Sequence, residues 1–475
     1  MSNQLCASVP TIGIALLANL AASLVFPNFA WSLIATLLFA LTTLLLMRSN
    51  ALAICMLLPY LLLQLSMLVS LGGIEAGSYM PEVGTTGAPS SAAASYAIYS
   101  LIFDLVFIYT FRRVGQSRAK QHAVRASADG VLIFFQFATL TFATGVIIYL
   151  VIAGLHTGFP LLTGTDRFVF KRNSADALTV DFLDLKVIPT SALGVCAVFG
   201  RTHTLRIAAY LLFIAVIGLS FLYGEKFFIV IVAALIFAMP FFARQPERAG
   251  RQLFSLLPFA LLGTVAVVAI TLYIYSDWGA RSLDFALQRF GDRISGQAQL
   301  WYLAVKDSST WLNFDLRAIQ ANIGSLFADN PADYVFRHKL GPFFFVDKYS
   351  PPAIYRATIH NKGTTTPTEL FEAYGLVMTG YIGLVVQMVL AGLAAGVISS
   401  LHLLAIVTKN PFYVFLPAFM ITAMLKLVEQ GTIYSALSIS TFKFYFLFLA
   451  LTLGVAAISR SIRGQTWQGY ARRGL

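Results

Sequence analysis

The sequence predicts an all-α polytopic membrane protein with about twelve transmembrane helices and one large helical loop on its outer face. Three observations carry that reading. Of 475 residues, 58% are hydrophobic and only 11% charged, whereas soluble domains carry about 25% charged residues. The mean hydropathy is +0.76. Apolar runs also recur along most of the chain at the ~20-residue length that a helix needs to cross a bilayer.

In chain order the first six runs lie near 10–27, 29–47, 51–71, 93–111, 131–153 and 187–200. The other six lie near 207–223, 226–242, 253–275, 374–398, 411–428 and 436–458. Forty phenylalanines and twenty tyrosines suit lipid-facing and interfacial surface. The first nine residues lack Lys and Arg, and a second apolar run follows the first at once, so no cleavable signal peptide is expected. Cys6, Cys55 and Cys196 lack metal-site spacing, and no disulfide is expected among them.

Charge orders the turns. Arg48, Arg112, Arg113, Arg118, Lys120, Arg125, Arg201, Arg206, Arg244, Arg248, Arg251 and Lys409 fall in the even-numbered turns, with Asp129 and Glu247 the acids there. By the positive-inside rule that face is cytoplasmic, and both termini lie on it. The net charge of +12 is then chiefly a topology signal and an attraction for anionic lipid. No nucleic-acid-binding motif accompanies it, so nucleic acid is not an expected partner.

Four regions follow. Residues 1–275 hold nine spans and an outer loop at about 154–186; residues 276–373 form the large outer loop. Residues 374–458 hold three further spans, and 459–475 form a basic tail. The large loop has aromatic and amphipathic stretches, Trp301 to Leu303 and Phe343 to Phe345 among them, and is expected to fold as a helical cap.

Chemistry must come from few residues. Lys226, in an outer hairpin between two spans, is either a snorkelling helix-end lysine or a fixed cation for a phosphate, with Glu225 as its structural partner. Arg289 and Arg293 are four apart and share a helix face with Gln297, which suits a diphosphate clamp or an exposed helix equally. Arg167 and Arg172 stand in the first long outer loop, beside Asp166, Lys171, Asp176, Asp181 and Asp184. They would contact phosphate or sugar, or remain solvated.

The segment from His360 to Gly383, HNKGTTTPTELFEAYGLVMTGYIG, puts ionisable groups at a membrane–water boundary. His360 with Asn361, Glu369, Glu372 and Tyr374 offers a base and hydrogen-bonding groups for a hydroxyl. Sequence does not separate His360 from the two glutamates. Asp104, Lys426 and Lys443 are ionisable groups inside spans, where function or ion pairing is the usual cause; Asp104 with Lys443 is one such pairing. The sequence has no Walker A, HExxH, GxSxG, CxxC or Asp-x-Asp pattern, so neither a metal nor another cofactor is expected.

These features together resemble the O-antigen polymerase and O-antigen ligase superfamily of GT-C type membrane glycosyltransferases. The likeness rests on His360-Asn361 followed by Glu372, Tyr374-Gly375, Gly380 and Gly383, on Lys226 in the outer hairpin, and on Arg289 to Trp301 as an R…Q-x-Q-x-W segment that includes Gln299. Lysine stands where ligases commonly have arginine, and a threonine run follows the histidine; both departures favour a polymerase.

The resemblance implies a bacterial inner-membrane enzyme with a periplasmic site and a GT-C-like fold. Its donor is an undecaprenyl-diphosphate-linked oligosaccharide and its acceptor a lipid-linked repeat unit. His360 or Glu372 would act on the acceptor. Lys226, Arg289, Arg293, Arg167, Arg172, Gln299, Asn361 and Tyr374 would bind diphosphate or glycan. A chain-length regulator is an implied partner. The alternatives are a ligase that passes glycan to a lipid A core and, from another class, a lipid-linked-oligosaccharide flippase or transporter.

Overall fold

The computed structural model describes residues 2–122, 129–165, 167–225, 227–278, 282–308, 310–360, 371–431 and 433–471. The chain is an all-α multi-pass membrane protein. Its long apolar helices are α1 (Ser2–Val25), α2 (Ala30–Glu75), α3 (Ala92–Thr110) and α4 (Asp129–Thr157). After two short helices, α5 (Arg167–Asn173) and α6 (Ala177–Asp184), come α7 (Val187–Phe199), α8 (His203–Leu222), α9 (Phe227–Arg244) and α10 (Ala249–Trp278). The expected cap is helical: α11 (Leu283–Ser295), α12 (Gln299–Asp307), three short helices between 316 and 349, and α13 (Pro352–His360). The last spans are α14 (Phe371–Val407), α15 (Phe415–Gln430) and α16 (Ile439–Ala471). One element departs from the all-α expectation, a two-stranded hairpin of β1 (Tyr79–Met80) and β2 (Thr85–Thr86).

Every expected span falls on a helix, but the count differs. Among the described residues nine helices are long and apolar enough to cross a membrane, or ten if α6 and α7, bent by 52°, form one span. The difference from twelve lies at three places. The runs 29–47 and 51–71 join as the 46-residue α2, interrupted only at Asn50 (φ −136°, ψ 39°). At 1.5 Å per residue α2 would extend about 69 Å, twice the ~30 Å hydrocarbon layer. The apolar part of α1 is only Pro10–Val25, and α7 alone has 13 residues.

The chain divides into two compact units. The first comprises Met1–Thr110, Glu247–Gly396 and Ala423–Ile439. Its α2 and α3 join through a ladder of rings, with Tyr60 5.5 Å from Phe103 and 6.2 Å from Phe107. The cap docks on the end of α2, where the Ser70 hydroxyl donates to Ser295 O (3.1 Å) and accepts from Ala298 N (3.1 Å).

The second unit comprises Phe111–Pro246, Val397–Thr422 and Ser440–Leu475. Its core gathers Leu140, Ala143, Leu193, Cys196, Ala209 and Phe237 from α4, α7, α8 and α9. Phe213 stacks on Phe237 at 3.9 Å. The buried His402 Nε2 meets the Ser191 hydroxyl at 2.8 Å, satisfying one polar atom on each of two apolar helices.

Candidate functional site

Two polar assemblies stand at the loop ends of the spans, one in each unit. In the first unit Ser282 caps α11, its hydroxyl accepting from Phe285 N at 3.3 Å. The helix carries Arg289 and Arg293 one turn apart, both exposed. It ends at Ser295, whose hydroxyl donates to Tyr79 O (2.7 Å) and so ties the helix to the hairpin.

The Q-x-Q-x-W segment then serves as a docking strap. Trp301, fully buried, donates to Ala92 O at 2.8 Å and sets its ring edge-on to Tyr96 and Tyr99. The Tyr302 hydroxyl accepts from Ala88 N (3.0 Å) and donates to Ala88 O (3.1 Å). Gln299, also fully buried, donates through its amide nitrogen to the Glu82 carboxylate, while its carbonyl accepts from Glu82 N at 3.3 Å. Both ends of its amide thus have partners on the hairpin, so the structure gives Gln299 a positioning role where the resemblance implied substrate binding.

Glu82 is the residue that the sequence reading passed over. Its side chain is half-buried on the hairpin. Burial pushes the carboxyl up to about 7, against the opposing pull of the Gln299 hydrogen bond and the Arg293 charge. A carboxylic acid that titrates near neutrality beside a guanidinium can give or take a proton at working pH. The Ser350 hydroxyl donates to Glu82 O (2.6 Å), and Pro351 and Ile354 pack over Gly84, which brings α13 onto the same hairpin. His360 is the last residue of α13. Its side chain, and Asn361 and Glu369, lie outside the described residues, as does the threonine run.

Glu372 and Tyr374 begin α14 and point inward. Tyr374 is 2% exposed, and its hydroxyl accepts from Asn322 Nδ2 at 3.3 Å. Glu372 is 1% exposed and lines an internal cavity with Tyr60, Gln64 and Phe103. Its carboxyl is sealed from solvent, so its position does not support direct contact with an acceptor hydroxyl. Asp104 accepts from Gln64 Nε2 (3.1 Å) in the interior of the first unit, and Lys443, in the second, is exposed.

The glycines of the motif have distinct reasons. At Gly380 (φ 72°, ψ −177°) α14 breaks. The segment from Trp311 to Asp315 lies across the break: Asn313 N donates to Thr379 O (3.2 Å), Asp315 N to Met378 O (3.0 Å), and Ile382 N to Trp311 O (3.0 Å). A Cβ at 380 would stand 2.9 Å from Trp311 O, in a backbone region that only glycine occupies readily. Gly375 and Gly383 make room for the side chains of Gln387 and Thr379.

In the second unit, α5 carries Arg167, Lys171 and Arg172 and packs on the turn between α8 and α9, where Gly224 faces Arg167. Glu225 is bound by two lysines, Lys186 at 2.8 Å and Lys171 at 2.6 Å, and Lys171 also meets Asp184 at 2.9 Å. Glu225 is thus held by lysines from the preceding loop, where Lys226 had been expected as its partner; Lys226 itself lies outside the described residues. Arg172 is exposed. Asp176 caps α6, accepting from Thr179 N at 2.7 Å, and so serves the loop's own fold.

Sequence reasoning thus named Arg289, Arg293, Arg167, Lys171 and Arg172 and missed Glu82 and Lys186. The available signal was a turn from Gly72 to Ser91 whose only charged residues are two acids, Glu75 and Glu82. Fold and site define a helical multi-pass membrane protein with cationic, acid-bearing assemblies at its loops. No protein-family model, curated protein or solved structure matches this chain.

Proposed function

We propose that this protein is a bacterial inner-membrane polysaccharide polymerase of GT-C type, with both termini in the cytoplasm and its site on the periplasmic face. It takes a glycan from an undecaprenyl diphosphate donor and adds it to a lipid-linked repeat unit. The observation that carries the reading is exposed Arg293 within electrostatic reach of Glu82, with exposed Arg289 one turn away on the same helix, on a segment locked by Gln299 and Trp301.

In the proposed reaction the acceptor hydroxyl oxygen attacks C1 of the donor sugar. The C1–oxygen bond to the diphosphate breaks, and the diphosphate leaves with the electron pair. Arginines suit that leaving group because a guanidinium offers planar, paired donors to phosphate oxygens. Charge developing on the diphosphate is then met without reorganisation. The hydroxyl proton passes to Glu82, or to His360 at the end of the helix packed on the same hairpin. Arg167, Arg172 and Lys226 supply further cations for the diphosphate or the glycan. A chain-length regulator is the expected protein partner.

A surface-glycan gel tests the reading. A deletion strain should show single repeat units on the lipid core, restored to a ladder by the wild-type gene and not by Arg293→Ala expressed at equal level. Bare core with polymer held on the carrier would instead indicate a ligase. Bare core with no polymer outside the membrane would indicate a flippase.

A further inference from the structure

We infer that the interior of the first unit, between α2, α3 and α14, holds a binding site for a monovalent cation, either Na⁺ or a proton. The inference does not depend on the proposed transfer reaction. Two carboxylates lie there among apolar side chains, Glu372 at 1% and Asp104 at 2% exposure. Asp104 receives one hydrogen bond, from Gln64 Nε2. Of the buried polar atoms without a hydrogen-bond partner among the described residues, three belong to neighbouring side chains here: Glu372 Oε2, Gln64 Oε1 and the Tyr60 hydroxyl oxygen. All three side chains line one cavity, closed by Phe103, Phe371, Met388, Ala391 and Val428. Tyr96 stands within electrostatic reach of both carboxylates.

Buried polar atoms in native proteins find partners, and ionisable groups inside a membrane are paired or functional. Three orphaned oxygens around one cavity, backed by two acids, call for a positive ligand. The neighbouring charges do not supply it. Lys426 and Glu429 lie on α15, which contributes Val428 to the wall, but no ion pair joins Lys426 to Glu372 or Asp104 among the described residues. The cavity measures about 10 Å³, room for about one water-sized occupant. Ca²⁺ requires six to eight oxygens, and Mg²⁺ near-octahedral geometry with its own waters, more than these walls provide. A single small monovalent ion, or a proton shared through one water, fits.

The test uses the purified full-length chain in detergent. Thermal unfolding is followed in NaCl against choline chloride at equal ionic strength, and the carboxylic C=O infrared band is followed against pH. The variants are Glu372→Gln and, in case that variant does not fold, Tyr60→Phe, which keeps both acids. A Na⁺-dependent rise in unfolding temperature that is lost in Glu372→Gln and weakened in Tyr60→Phe supports the site with sodium as ligand. No Na⁺ dependence, together with a titrating C=O band that Glu372→Gln removes and Tyr60→Phe displaces, supports it with the proton as ligand. A Na⁺ response that neither variant alters, or no response joined to a band that does not titrate, overturns the inference.

Discussion

Glu82 shows how one residue acquires a chemical role from contacts that are remote in sequence. Its partner Gln299 is 217 residues away. No local pattern joins the two, because a pair of two-residue strands shows no alternation to read. The sign of its pH dependence follows from the direction of the shift. Above about 7 the carboxyl is charged and can accept a proton; as pH falls through about 7 it becomes protonated and that capacity is lost. Polymerisation in membranes should therefore fall on the acid side with a midpoint near 7. Glu82→Gln should remove that limb and lower the rate roughly 100-fold or more, the scale of a lost general base. An acid limb that survives in Glu82→Gln would transfer the base role to His360. Glu225 gives the opposite sign. Burial alone would raise its carboxyl, but the ammonium groups of Lys186 and Lys171 together outweigh burial and hold it below the ordinary value of 4.5. Its stabilising effect is then present above that value and lost as pH falls through the lower, folded-state one. Glu225→Gln leaves two lysines facing each other, one of them 3% exposed. It should destabilise the protein by roughly 3 kcal/mol or more, read as a lowered unfolding temperature.

At the scale of elements, the break in α14 joins a span to the cap. A helix interrupted inside a membrane must find new partners for its freed carbonyls and amides. Here Asn313, Asp315 and Trp311 provide them. Asn313 adds a side-chain bond from Nδ2 to Val377 O at 3.2 Å. Gly380→Ala should cost about 1–3 kcal/mol, because alanine is strained at this φ and ψ and its Cβ meets the strap. It should also speed proteolytic cleavage of the cap between 311 and 360. Gly454→Ala is the control, since a Cβ there meets nothing within 4 Å; unchanged cap proteolysis in Gly380→Ala would remove the strap from the account. The glycine spacing was visible in the sequence. Its cause was not, because the residues that require it, Trp311 to Asp315, lie far upstream in a segment without periodicity. Helical character of the cap was legible from its amphipathic stretches. The strap role of Gln299 and Trp301 was not, since burial of a glutamine cannot be read from neighbours that include exposed arginines.

For the whole molecule, composition decided the class, and the positions of the apolar runs decided the helices. The number of crossings was less legible because a turn of three residues, 48–50, becomes a kink in one long helix instead of a loop. Orientation rests on charge alone: the positive-inside rule predicts the basic turns on the cytoplasmic face and the loops that carry Arg172 and Phe327 on the opposite one. Cysteine labelling tests the orientation directly. The native Cys55 and Cys196 are buried and should contribute little background, and Cys6 can be replaced by serine. A membrane-impermeant thiol reagent added to spheroplasts should label Arg172→Cys and Phe327→Cys, both at exposed positions in the outer loops. It should label Arg248→Cys, exposed in a basic turn, only after the membrane is opened. Labelling of Arg248→Cys in sealed spheroplasts would invert the topology. It would place Arg293 and Glu82 in the cytoplasm, where a polymerase acting on flipped, lipid-linked repeat units has no substrate.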